Sequence, residues 1–258
     1  MEPVLISRDG QIATVALHNP GKLNALHKAM WQRLGEVMRE LSADGDLRCI
    51  VLRGAGDKAF AAGADISEFA AERAGSKQAK GYGKLIDDTM QAVARCRHPT
   101  VALIKGACVG GGLEIAAMCD MRICGESGRF GVPINRLGLT MAYGELQGLL
   151  ALAGPAVTLE ILLEGRVFDA QEALRKGLVN RVVADDKVEE ETYACARRIA
   201  AGAPLVARWH KQFVERLTVT AKLKPEEWDE GFACFDTEDY QIGVAAFLKK
   251  DKPKFSGR

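Results

Sequence analysis

The 258-residue chain carries 35 basic and 34 acidic residues, a net charge of +1 and a pI of about 7.6, so bulk charge favours neither nucleic acid nor an anionic membrane surface. Its length supports one large core, no run approaches a transmembrane span, and Met1-Glu2-Pro3 lacks the basic-then-apolar pattern of a signal segment. The seven cysteines, Cys49, Cys96, Cys108, Cys119, Cys124, Cys195 and Cys234, form no C-x-x-C, so buried thiols in a reducing compartment, most simply the cytoplasm, are expected rather than disulfides or a zinc site.

Val4–Ser7 and Ile12–Leu17 read as a β-hairpin turning at Asp9-Gly10. After His18-Asn19-Pro20-Gly21 breaks the pattern, a helix is expected over about His27–Ala43, with Met30, Leu34, Val37 and Leu41 on one apolar stripe. Arg48–Arg53 reads as a buried strand, and this β-helix-β order points to an α/β fold. Lys58–Ile66 is a loop of small residues that opens a further helix; Asp65 there is either a simple cap or part of a ligand-facing loop. Glu72–Lys80 is polar and is expected to be a mobile excursion before a helix over about Tyr82–Cys96.

Thr100–Ile104 is a buried strand that leads into Lys105–Asp120, where a short buried helix is expected from Gly111 to about Met118. Three consecutive glycines, Gly110-Gly111-Gly112, start that helix at a cost of about 1 kcal/mol each relative to alanine. They are useful where the chain turns with positive φ or where something approaches the backbone closely. A helix start offers free N–H groups and the positive end of the dipole to an oxygen carrying negative charge. Glu114 lies three residues beyond Gly111, near the same face. Tight strand–helix packing with a first-turn acid is the alternative reading of the same residues. The pattern has neither a Lys-Ser/Thr after the glycines nor the G-x-G-x-x-G spacing of a nucleotide loop.

Met121–Cys124 reads as a strand, and helices are expected at Gly144–Ala153 and Ala156–Leu163. Asp169 caps Ala170–Lys176, which stops at Gly177, and Leu178–Val183 is a strand. From Val188 the chain reads as helical, over Val188–Ala201, Pro204–Leu217, Pro225–Phe235 and Glu238–Lys249, before a basic tail. His18, His27, His98 and His210 lack metal-ligand spacing, Gly125-Glu126-Ser127-Gly128 is not a serine-nucleophile elbow, and no internal repeat is evident.

Taken together, Asn24-Ala25-Leu26, Ala61-Ala62-Gly63-Ala64-Asp65-Ile66, Gly110–Glu114, Phe130-Gly131-x-Pro133, Phe168-Asp169-Ala170-x-Glu172-Ala173 with Gly177-Leu178-Val179, and Glu238-Asp239-x-x-x-Gly243-x-x-Ala246-Phe247 resemble the crotonase superfamily, the enoyl-CoA hydratase/isomerase family. The resemblance spans essentially the whole chain. It implies an α/β fold: a ββα spiral core of stacked sheets with the CoA site over residues 1–200, and a helical C-terminal oligomerisation region over 201–258. It also implies a homotrimer or dimer of trimers, an acyl-CoA thioester substrate, and no cofactor beyond the coenzyme A that enters with it. No metal, nucleic acid or membrane is expected.

By the same resemblance, the N–H groups of Ala64 and Gly111 would form an oxyanion hole around the thioester carbonyl. Each preorganised donor of this kind is worth about 3–4 kcal/mol of transition-state stabilisation. Lys22, Ala25, Leu26, Ala62, Asp65, Ile66 and Gly110 match segments that cradle CoA, and Lys252 and Phe255 match a tail that reaches the CoA of a neighbouring subunit. Glu114 matches one of the two hydratase glutamates. The other follows F-G-x-P, where this chain has Ile134. Met141-Ala142-Tyr143-Gly144-Glu145 replaces the family's Pro- and Gly-rich turn. Three activities follow: hydration by Glu114 helped by Glu145 or Tyr143, double-bond isomerisation by Glu114 alone, and acyl-CoA binding without chemistry.

Overall fold

The computed structural model of the chain describes residues 2–219 and 222–258. Met1, which begins the expected core region and signal reading, and residues 220–221, within the expected C-terminal region, lie outside them. The strands are β1 (Val4–Asp9), β2 (Ile12–Leu17), β3 (Cys49–Gly54), β4 (Ala59–Ala61), β5 (Thr100–Ile104), β6 (Ala107–Val109), β7 (Met121–Gly125), β8 (Arg129–Gly131), β9 (Phe168–Asp169) and β10 (Arg181–Val183). The helices are α1 (Lys28–Ala43), α2 (Phe69–Glu72), α3 (Ser76–Ala94), α4 (Gly111–Met118), α5 (Tyr143–Glu164), α6 (Ala170–Arg175), α7 (Val188–Ala200), α8 (Pro204–Val219), α9 (Pro225–Glu230) and α10 (Glu238–Lys249).

One sheet runs β1-β2-β3-β5-β7-β10, parallel except for the β1–β2 hairpin; a second runs β4-β6-β8-β9, parallel except for β8–β9. The chain therefore repeats one unit three times. A strand in the large sheet is followed by a short strand in the small one and then by helix: β3-β4 before α2 and α3, β5-β6 before α4, β7-β8 before α5. The backbone repeats although the sequence shows no internal repeat.

Both faces of the central strands β3 and β5 are buried, which is why they read as continuous apolar runs. Ile50, Leu52, Ala102 and Ile104 face the main core with α1, α3 and α4, while Cys49, Val51, Val101 and Leu103 face a smaller cluster under α7. Alternate residues thus serve opposite layers.

Four expectations change. Glu72–Lys80 is not an excursion, because Ser76–Lys80 forms the first turns of the 19-residue helix α3. The polar residues there face solvent while Tyr82, Ile86, Met90 and Val93 bury the other end. The last strand is shorter than expected, Arg181–Val183, and the expected helix Pro225–Phe235 divides into α9 and a 3-10 turn at Ala233–Asp236. Helix α5 also corrects the reading that no run approaches a transmembrane span: with a mean hydropathy of 1.7 it is long and apolar enough for one by length and composition. Its backbone leaves helical geometry at Gly154 (φ 72°, ψ 171°) ahead of Pro155, so it consists of the two shorter helices that the sequence indicates.

Candidate active site

The glycine run has a separate physical reason at each position. Gly110 adopts φ 52°, ψ −123°, a conformation that side chains disfavour. A Cβ on Gly112 would lie 2.4 Å from the Ala61 carbonyl oxygen of β4, and one on Gly111 would lie 2.8 Å from Leu26 Cδ1 and 3.1 Å from the Trp31 ring. Helix α4 therefore starts pressed against the Ala61–Ala64 loop, and a Cβ on Gly110 would come 3.6 Å from Gly63 Cα.

That loop is held from its other side by Leu26. The Leu26 N–H donates to Gly63 O (2.8 Å), and Leu26 O accepts from Asp65 N–H (2.9 Å). Among the described residues, the N–H groups of Ala64 and Gly111 donate to no other group. Two free amides, 47 positions apart in sequence, are thus carried on adjoining backbone segments. The Leu26 side chain is fully buried, and its backbone bonds set the loop. Ala25 is also nearly closed off, and its carbonyl accepts from the Asn19 side-chain amide (3.0 Å).

Asp65 is the cap that local pattern suggests. It accepts from Ser67 N–H (3.1 Å) and Ser67 Oγ (2.6 Å), and Lys22 Nζ reaches it at 2.7 Å. Lys22 and these bonds hold its carboxyl down at about 2. Lys22 and Ile66 remain exposed and Ala62 half-exposed beside it, available to a ligand arriving from solvent. In the tail, the Phe255 carbonyl accepts from Arg48 (2.6 Å) and its ring lies against Gly243, while Lys252 is exposed.

Glu114 sits in the first turn of α4 and is 7% exposed. Burial, and secondarily the charge of Glu145, pushes its carboxyl up to about 8, against a smaller opposing influence of Arg73. Glu145, in the first turn of α5, is also raised by burial. The Ala142 N–H that it accepts at 2.7 Å and the Arg73 charge both oppose that rise, while the Asp87 charge adds to it. The Glu145 charge thus adds to what burial does at Glu114. Tyr143, two positions away on the same helix start, is 91% exposed. Ile134, in a 3-10 turn over Pro133–Leu137, is half-buried and packs on the main core.

Arg73 and Asp87 were not singled out from sequence. No local signal marks them, because they reach Glu145 from α2–α3 across more than fifty positions. A cleft of about 710 Å³, lined by residues such as Arg39, Asp87, Arg95 and Gly144, contains none of the residues expected from sequence. Among the described residues, no group of three or more His, Cys, Asp or Glu could hold a metal ion.

The family model for enoyl-CoA hydratase/isomerase matches residues 7–258. The chain belongs to the enoyl-CoA hydratase/isomerase family. A probable enoyl-CoA hydratase of Rhizobium meliloti is 37% identical, with 100% of this chain and 99% of the relative covered. The short-chain-enoyl-CoA hydratase of Clostridium acetobutylicum is 32% identical over 96% of this chain and 95% of its own. Among solved structures, an enoyl-CoA hydratase/carnithine racemase from Magnetospirillum magneticum superimposes with a TM-score of 0.98 at 50% identity, covering 100% of this chain and 97% of that one. The mixed α/β architecture of parallel sheets and helices is accordingly the crotonase fold.

Proposed function

We propose that the chain is an acyl-CoA enzyme that reversibly hydrates 2-enoyl-CoA, with Glu114 and Glu145 as its acid–base pair. The observation that carries this reading is the buried Glu114 carboxyl in the first turn of a helix whose start, with the adjoining Ala61–Ala64 loop, bears two unbonded backbone amides. The thioester oxygen would accept from the Ala64 and Gly111 N–H groups, which stabilises the enolate formed during addition. Glu145 would take a proton from water as the water oxygen bonds to C3. Glu114, held protonated by burial, would deliver its proton to C2. The carboxyls exchange roles in the reverse direction.

Ile134 favours a second reading, double-bond isomerisation. An apolar side chain at the position of a hydratase glutamate cannot hold water, and Glu114 alone could move a proton along the acyl chain. Incubation with 2-enoyl-, 3-enoyl- and 3-hydroxyacyl-CoAs, with products identified by mass and retention time, separates the readings. Interconversion of 2-enoyl- and 3-hydroxyacyl-CoA is expected. Interchange of 2- and 3-enoyl-CoA without water addition would select isomerisation, and binding without any product would leave only acyl-CoA capture.

Self-association into trimers belongs to the same proposal. Trp228, Phe247 and Leu248 on the C-terminal helices, and Phe232 in the turn after α9, are each more than half exposed, an apolar surface of the kind that marks protein contacts. Six of the seven free cysteines are buried, which supports a reducing compartment such as the cytoplasm.

A further inference from the structure

The short segment Leu26–Trp31 bears on both of the backbone stretches that carry free amides, by different means. Its first residue holds the Ala61–Ala64 loop through the two backbone bonds of Leu26, to Gly63 O (2.8 Å) and from Asp65 N–H (2.9 Å). Its last residue, Trp31 in the first turn of α1, lies against Gly111. A Cβ on Gly111 would be 3.1 Å from Trp31 Cζ2 and 3.6 Å from Cη2. Both atoms belong to the outer ring of the indole, the end farthest from the α1 backbone. Leu26 Cδ1 closes the same spot, 2.8 Å from that Cβ position. Gly111 is therefore seated against two side chains of one segment.

Trp31 is itself firmly placed. It is 1% exposed, its N–H donates to His27 O (3.1 Å), and its carbonyl accepts from Thr89 Oγ1 of α3 (2.8 Å). One turn further along α1, a Cβ on Gly35 would lie 2.9 Å from the same Thr89 Oγ1, so the two helices close tightly there. The indole Nε1, by contrast, is buried with no partner among the described residues. A buried N–H left unpaired is a cost that phenylalanine would not carry. What tryptophan adds in return is the outer ring, and that ring is the part that reaches Gly111.

We propose that Trp31 is a positioning residue for the thioester carbonyl: its outer ring is the stop against which α4 begins, and it fixes the Gly111 N–H relative to the Ala64 N–H that Leu26 sets. The proposal rests on the reading of Ala64 and Gly111 as the donors to the thioester oxygen. Such donors stabilise charge because they are already in place before it develops. A helix that opens on Gly110-Gly111-Gly112 has no side chains of its own there to hold its position. A rigid ring packed behind it supplies that hold.

The test uses butyryl-CoA isotope-labelled at the thioester carbonyl, a saturated thioester with no double bond to hydrate or to move. Its carbonyl stretch, read by infrared difference spectroscopy, reports the donors at the oxygen and is separate from proton transfer by Glu114. Binding to the native protein should lower that stretch relative to the free ligand. Trp31→Phe keeps an aromatic ring but falls short of Gly111, and it should lose part of the lowering. Its kcat, on the substrate that the acyl-CoA panel identifies, should fall about tenfold or more, the scale of a small misplacement at a reacting centre, with KM changing less. Gly111→Ala presses on the same ring from the other side and should also lose part of the lowering. Adding Trp31→Phe to Gly111→Ala should restore some of it, because residues in contact do not act additively. Melting curves establish that each variant is folded.

A folded Trp31→Phe with the native stretch and native kcat would overturn the role of Trp31 and leave the two donors in place. A slower Trp31→Phe with an unchanged stretch would overturn it too, because the ring would then act elsewhere than at the donors. If the phenylalanine variant does not fold, Gly111→Ala decides, and a native stretch in that variant would overturn the proposal. Native protein that fails to bind butyryl-CoA, or binds it without lowering the stretch, would instead remove the donor assignment on which the proposal stands.

Discussion

A Glu114→Gln variant is expected to turn over any substrate of the native protein at least about 10²-fold more slowly, yet to unfold at a higher temperature than the native protein at pH 8. The two effects have one cause. Burial raises the folded-state carboxyl from its ordinary 4.5 to about 8. The folded chain thus favours the protonated form, and the stability linked to it is fully present below about pH 4.5 and lost as pH rises through about 8. Glutamine keeps the shape and carries no charge, so the variant escapes that loss but cannot exchange a proton. Each kcal/mol so recovered is worth about 2–4 °C in a domain of this size. Steady-state kinetics and melting curves from pH 5 to 9 check both parts. Lower activity together with lower stability at every pH would instead make Glu114 a structural acid.

How much of this was legible in sequence depended on whether a feature lies within one element or between elements. The hairpin and α1 announce themselves because each repeats its apolar residues at its own period, and β3 and β5 because each is a short unbroken apolar run. The break in α5 is written in Gly154-Pro155. Strands β4, β6 and β8 are three residues each, too short for any period, and exist because they pair with one another across the small sheet. The start of α3 was hidden for a different reason: a solvent-facing first turn looks the same as a polar loop when only composition is seen. At the site, Glu114 and the glycines were legible because strand, turn and helix start lie within about fifteen residues. Telling Glu145 from Tyr143 requires knowing which side of α5 faces α4, and that is settled only by packing.

Replacing Glu145 should decide whether it is a base or only the acid that starts a helix. Both roles are physically available, because its Oε2 accepts the Ala142 N–H, a first-turn contact of the kind that ends helices throughout proteins. Glu145→Gln retains an acceptor oxygen for that N–H, so the start of α5 and the melting temperature should change little, while kcat falls by about 10². Glu145→Ala should lose the cap as well, on the order of 1 kcal/mol. If Gln at this position leaves kcat unchanged while Ala lowers the melting temperature, Glu145 caps the helix and does nothing more.

The same background gives a clean test of Ile134. Adding Ile134→Glu to the native protein would place a third acid near a pair that burial already raises, and repulsion would blur the result. In the Glu145→Gln background the new carboxylate has only Glu114 to oppose it. If Ile134 occupies the wall where the family places its second glutamate, the double variant should hydrate crotonyl-CoA at least about tenfold faster than Glu145→Gln alone. Desolvation of the new acid, and loss of the packing that Ile134 makes on the core, act against that gain. Affinity for CoA and melting temperature must therefore be measured beside the rate. A folded, CoA-binding double variant that is no faster than its parent would place Ile134 outside the reacting wall, leaving Glu114 and Glu145 as the whole of the acid–base apparatus.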